Sequence, residues 1–182
     1  MSLLAQNSGN ADFETCPAGL QNAVCYCVED IGWQPNPFAE KPHHQIVVLF
    51  ETENRMADNR RFGLSKFYTL SLHEKAGLRK DLIAWRGQDF TKEELAAGFD
   101  VEKLVGANCA LNVIHEQNKD GGTRAKIAGI MPAMKDRPKM VCENHGSPEW
   151  VKKKIAEQVG NSSAATPVQP PKAPKISDDL PF

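Results

Sequence analysis

The sequence lacks long hydrophobic runs and lacks an excess of charge of either sign. No apolar stretch among its 182 residues approaches the roughly 20 that a membrane-spanning helix needs. Residues 1–8 have neither the basic start nor the apolar core of a signal peptide. With 22 basic and 23 acidic residues, the chain is not covered in positive charge. These absences predict a soluble intracellular protein.

Cysteine is scarce and has no framework spacing. An odd count of five, at Cys16, Cys25, Cys27, Cys109 and Cys142, is typical of a reducing compartment rather than of a disulfide scaffold. In a regular strand Cys25 and Cys27 would lie on one face, because side chains alternate with a period of two. We therefore expect both to be small core residues.

Recognisable catalytic motifs are also missing. The sequence contains no P-loop, no dinucleotide-binding fingerprint and no serine nucleophile elbow. Cys142 and His145 are two residue types that bind zinc, but no second matching pair accompanies them. We therefore expect no metal, no cofactor and no catalytic residue.

Short segments rich in β-branched and aromatic residues predict a mainly β protein. Strands are expected at residues 23–28, 44–51, 60–72, 109–115 and 124–131, with a break from Gly32 to Pro37. A hairpin turn is predicted at Gly121 and Gly122, between the last two strands.

The long connection between the third and fourth strands is expected to contain helices. Ser71 and Thr91 each begin a capping-box pattern, and Asp100 is a further cap candidate. Ser147 followed by Pro148 predicts a C-terminal helix to about residue 159. This order favours an OB-like barrel of about five strands, with a β-sandwich as the alternative fold.

Composition divides the chain into three parts. Residues 1–18 are polar and are expected to form a flexible N-terminus, and residues 19–159 are expected to form the domain. Residues 160–182 are rich in proline and poor in apolar groups, which predicts a disordered linker. The linker ends in a candidate docking peptide: Asp178, Asp179, Leu180, Pro181 and Phe182. A partner would offer an apolar pocket for Phe182 and basic groups for the acids.

Two regions carry a resemblance to known families. The motifs YTLSLHEK (68–75), LRKDL (78–82), WRG (85–87) and FTKEEL (90–95), followed by the turn at 121–122, resemble phage-encoded single-stranded DNA-binding proteins with an OB fold. The last five residues are similar to the acidic tip of bacterial single-stranded DNA-binding proteins. The resemblance implies a non-enzymatic protein of phage DNA replication or recombination, located in the cytoplasm of the bacterial host. It would coat single strands with little sequence preference and recruit replication and recombination proteins through its tip.

Such binding needs cations along the phosphate backbone and aromatic rings beneath the bases. Trp33 and Tyr68 are the expected stacking residues, and Tyr68 falls on the opposite strand face from Phe67. Each aromatic has core packing as its alternative reading. The full set of candidate DNA-binding residues is Trp33, Arg55, Arg60, Arg61, Lys66, Phe67, Tyr68, Arg79, Arg86, Arg124 and Lys126.

Two other functions stay open at this point. A metal-dependent nucleic-acid-processing enzyme would use His43, His44, Glu51 and Glu53 as ligands. A protein-only adaptor would use the β domain without any nucleic acid. Assembly into a homo-oligomer is compatible with each of these readings.

Overall fold

The structure, a computed structural model, describes residues 14–36, 40–119 and 121–161, with side chains described as far as residue 158. These residues form a mainly β fold with a single five-stranded antiparallel sheet and three α-helices. The strands are β1 (Gly19–Gln34), β2 (His43–Arg55), β3 (Arg61–Thr69), β4 (Asn108–Gln117) and β5 (Thr123–Pro132). The helices are α1 (Gly77–Arg86), α2 (Lys92–Ala97) and α3 (Glu149–Asn161), with a 3-10 helix at Val101–Leu104.

The sheet is open, with strand order β3-β2-β1-β4-β5. Its edge strands β3 and β5 approach within 8 Å between Cα atoms, but no ladder of described residues joins them. The prediction of a mainly β fold with about five strands and a helical connection is confirmed. A sandwich of two sheets is not what these residues form, since all five described strands belong to one sheet.

Apolar residues alternate along β2 and separate the molecule into two layers. Ile46, Val48 and Phe50 face the main core, where α1 contributes Leu82 and Trp85. Val47 and Leu49 face the opposite side and pack with Val151 of α3 in a second, smaller core. We call the side of the main core the inner face and the side of α3 the outer face.

The predicted break after β1 begins later than expected: the strand ends before Pro35, as predicted, but it is not interrupted at Gly32. The strand continues to Gln34 and shifts register between Asp30 and Gly32, where Gly32 has a φ of 78°. A second shift lies between Cys25 and Cys27. That bulge turns Cys25 to the inner core and Cys27 to the outer one, so the two thiols do not share a face.

The predicted capping boxes have different outcomes. Thr91 caps α2 reciprocally with Glu94, as predicted. Ser71 does not begin α1: the helix starts at Gly77 without a side-chain cap, and the Ser71 hydroxyl accepts from the backbone N–H of His73. Asp100 caps the 3-10 helix by accepting from the backbone N–H of Glu102.

The segment of residues 133–148 connects β5 to α3 by crossing the outer face. Asn22 of β1 donates to the Pro138 carbonyl, and Asn108 of β4 accepts from the backbone N–H of Met140. The connecting segment then reaches β2 and β3 before α3 begins. No helix in residues 14–36, 40–119 and 121–161 is long and apolar enough to cross a membrane.

Residues 14–18, expected to belong to the flexible N-terminus, lie against the sheet. Cys16 is buried in the main core, and Glu14 accepts from the backbone N–H of Ala57. The rest of the N-terminal segment lies outside the described residues, as do residues 162–182 with the docking peptide Asp178 to Phe182.

Candidate nucleic-acid interface

A buried carboxylate organises one end of the outer face. Glu51 of β2 is fully buried and accepts from the backbone N–H groups of Glu143 and Asn144, at 2.6 and 3.1 Å. The Asn144 amide donates to the same carboxylate, and Arg61 Nη1 lies 3.0 Å from it. Since an unpaired buried charge is costly, these contacts fix the connecting segment to β2 and β3.

Arg55 and Arg61 converge on one more exposed carboxylate. Arg55 makes a bidentate pair with Glu143, at 2.6 and 3.0 Å. Arg61 Nη2 lies 3.0 Å from the Glu143 oxygen that Arg55 Nη2 also contacts. The Arg55 guanidinium lowers the pKa of Glu143, so the carboxylate is charged at neutral pH. Two of the predicted cations are therefore brought together, with an acid between them.

Exposed aromatic rings meet where β3 passes α3. Phe67 pairs with Val47 of β2 in the ladder and so points to the outer face. Its ring centroid lies 6.1 Å from that of Trp150, and Lys154 Nζ lies 4.7 Å above the Phe67 ring. Phe67 and Trp150 retain 39% and 46% of their surface in contact with solvent. These three residues form the Phe67–Trp150 patch.

Trp33, one of the two expected stacking residues, is exposed near the end of β1. Its ring stacks on His44 at 5.2 Å with an interplanar angle of 19°, and His44 Nε2 lies 2.7 Å from Asp30. Trp33 pairs with His44 in the β1–β2 ladder, at the end of the sheet where β3 also ends. One face of the indole is therefore occupied by His44, while 62% of the Trp33 surface remains in contact with solvent.

Tyr68, the other expected stacking residue, lies in the main core. Its side chain is 5% exposed, and its hydroxyl donates to Asp81 of α1. Lys66, two residues earlier in β3, pairs with the same carboxylate at 2.6 Å. Phe67 and Tyr68 do lie on opposite strand faces, and the outward one is Phe67.

The remaining candidate cations are dispersed and paired with acids. Arg86 is buried against Glu94 and the ring of Phe90, which takes it away from any surface groove. The other pairs are Arg60 with Asp58, Arg79 with Asp89, and both Arg124 and Lys126 with Glu116. Among the residues that the structure describes, the predicted cations do not form one continuous unpaired groove.

The proposed metal ligands are not gathered into a site. His44 contacts Asp30, Glu51 is occupied by Arg61 and backbone N–H groups, and Glu53 pairs with Arg137 at 2.6 Å. No group of three or more His, Cys, Asp or Glu side chains in the described ranges could hold a metal ion. Cys142 donates to the carbonyl of Cys25, while His145 is exposed.

Sequence reasoning missed Trp150, Lys154 and Glu143. Trp150 and Lys154 are four residues apart on α3 and so lie on one helix face, a spacing that predicts neighbouring side chains. A tryptophan among the lysines of a short helix was the available signal. Glu143 had no such signal, since its partners are Arg55 and Arg61, far away in the chain.

No protein-family model matches the chain, and no curated protein matches it.

Proposed function

We propose that the chain is a non-enzymatic single-stranded DNA-binding protein. The bases of the bound DNA stack on the Phe67–Trp150 patch. The observation that carries this proposal is the pair of exposed aromatic rings with Lys154 beside them. Single strands are bound without sequence preference by aromatic faces for the bases and cations for the phosphates. The patch offers both within a few ångströms.

The strand order supports an OB-like barrel as the finer description of the fold. The order β3-β2-β1-β4-β5, with the two edge strands close together, needs only a β3–β5 contact to complete a ring. The long connection between β3 and β4 contains α1 and α2. OB folds bind oligonucleotides on the face of strands 2 and 3 and through the neighbouring loops. Phe67 lies on that face, and Trp33 lies beside the loop between β1 and β2.

The biological setting follows from the sequence resemblance. We propose a role in phage DNA replication or recombination inside the bacterial host cell, where the protein coats exposed single strands. Asp178 to Phe182 recruits replication and recombination proteins. We propose DNA as the ligand because the resemblance is to DNA-binding proteins. Titration with oligo(U) as a control distinguishes binding of DNA from binding of RNA.

A fluorescence titration tests the proposal. Trp33 and Trp150 are exposed indoles, so a base that stacks on either ring quenches its emission. We expect oligo(dT) to bind more tightly than duplex of the same length, with a log–log salt slope of about −0.7 per phosphate neutralised. Equal affinity for single strand and duplex at moderate salt refutes the proposal.

A further inference from the structure

We propose that Arg55 and Arg61 form a phosphate-binding pair, and that the Glu143 side chain occupies this pair as a built-in competitor. The inference deepens the proposed function and rests on it for the source of the phosphate, the backbone of a single strand. The ligand of the Arg55–Arg61 pair would be a phosphate ester or a polyphosphate.

The geometry of the two arginines is that of an anion site. Three guanidinium nitrogens, two from Arg55 and one from Arg61, lie between 2.6 and 3.0 Å from the Glu143 oxygens. A bidentate guanidinium contact to a carboxylate has the same fork geometry as a contact to phosphate. The Glu143 carboxylate therefore occupies the volume in which a phosphate would accept the same hydrogen bonds.

Arg61 is held in place independently of Glu143. Its Nη1 donates to the buried Glu51 carboxylate at 3.0 Å and to the Val141 carbonyl at 2.8 Å. Arg55 donates to the Asn59 carbonyl at 2.8 Å. Both guanidinium groups are thus preorganised by other contacts, and removal of the Glu143 carboxylate leaves their Nη groups without that acceptor.

Glu143 itself can leave without unfolding the segment. Its backbone N–H is anchored to Glu51, whereas its side chain is 44% exposed and Arg55 is 37% exposed. Exposed ion pairs contribute little because solvent competes with them, so an incoming phosphate can replace the carboxylate. The buried Glu51–Arg61 contact is not exposed to that competition.

The test uses the full chain in five forms: wild type, E143Q, E93Q, R55Q and the double variant R55Q/E143Q. Glu93 is an exposed acid on α2 with no ion pair among the described residues, so E93Q removes the same charge elsewhere. Each form is titrated with oligo(dT) at three salt concentrations and, separately, with tripolyphosphate followed by NMR of the arginine side chains. Thermal unfolding checks that each variant is folded. If E143Q is not, E143D withdraws the carboxylate by one methylene and takes its place.

We expect E143Q to tighten binding of both ligands by about two- to fivefold. This factor corresponds to the free energy of an exposed ion pair, which the ligand no longer has to break. The salt slope for oligo(dT) should become more negative, because salt no longer weakens a competing ion pair in E143Q. E93Q should give neither change, and R55Q/E143Q should lose the gain. A gain with tripolyphosphate alone keeps the phosphate pair and removes the single-strand function. An equal gain in E93Q, a gain that persists in R55Q/E143Q, or no gain with either ligand overturns the inference.

Discussion

The Tyr68 hydroxyl on β3 donates a 2.6 Å hydrogen bond to the Asp81 carboxylate on α1. Lys66 Nζ lies 2.6 Å from the same carboxylate, so one acid holds two residues of the edge strand. Burial raises the pKa of Tyr68, with the Asp81 charge as a second cause, and the hydroxyl therefore remains a donor across the pH range of a folded protein. The contact fastens β3 to the helix that covers the main core.

We expect Tyr68→Phe to lower the free energy of unfolding by about 1–2 kcal/mol, because Asp81 loses a charge-assisted hydrogen bond and keeps only Lys66. Oligo(dT) affinity per folded molecule should not change. Urea denaturation measures the first quantity and titration the second. Tyr26→Phe is the matched control, since the half-buried Tyr26 hydroxyl makes no hydrogen bond with a described residue. A loss of oligo(dT) affinity with unchanged stability would indicate that Tyr68 contacts the DNA.

Substitution within the Phe67–Trp150 patch should weaken DNA binding and leave the free energy of unfolding unchanged. Trp150→Leu and Phe67→Leu should each weaken oligo(dT) binding by about 1–3 kcal/mol, the contribution of one stacked base. Because the two rings are in contact, the double variant should lose less than the sum of the single losses. Leu20→Ala, an exposed apolar residue paired with β4, serves as the control and should not alter binding. Unchanged affinity in both patch variants would be incompatible with stacking there.

Acid should destabilise the fold through carboxylates near α2. Arg86 lowers the pKa of Glu94, while the Phe90 backbone N–H and then Arg79 lower the pKa of Asp89. A group whose pKa is lower in the folded state stabilises that state at every pH above its unfolded pKa, which is about 4 for these residues. That stabilisation is lost as the pH falls through the folded pKa. The urea concentration at the unfolding midpoint should decrease as the pH is lowered below about 4. The decrease should be less steep in Glu94→Gln. A midpoint that rises on acidification contradicts the assignment.

The docking peptide is testable separately from the domain. Removal of Asp178 to Phe182 should abolish recruitment of partner proteins, because Phe182 is the large apolar group that a partner pocket would bury. Phe182→Ala alone should lose most of that affinity, and oligo(dT) binding should stay the same or increase slightly. Pull-downs from host lysate with the full chain and both variants measure this. Identical partner sets from all three would exclude the docking role.

Local patterns predicted the parts of the fold that local chemistry determines. β4 and β5 were predicted to within two residues at each end, since a glycine-rich turn joins two short segments of mixed apolar and polar residues. The Thr91 capping box formed because α2 begins directly after Thr91, whereas Ser71, with Glu74 at the same spacing, caps nothing because α1 begins only at Gly77. The strand was not interrupted at Gly32, because the register shift between Asp30 and Gly32 accommodates the glycine and pairing with β2 continues on both sides.

The candidate site was harder to predict because distant residues build it. A period of two separates Phe67 from Tyr68 without showing which one faces the core, and the docking of α1 decides that. Contact between Phe67 and Trp150 requires the connecting segment to cross the sheet first. No short-range pattern contains that information.

The anchoring of Glu51 also imposes an order of events during synthesis. Its hydrogen-bond partners, Glu143 and Asn144, lie 92 and 93 residues later in the chain. At a translation rate of about 5–20 residues per second, the Glu51 carboxylate waits about 5–20 s before those partners exist. Until the ribosome has released them, β2 and β3 cannot bury that charge at its native site, so this part of the domain cannot close before residues 143 and 144 have been synthesised.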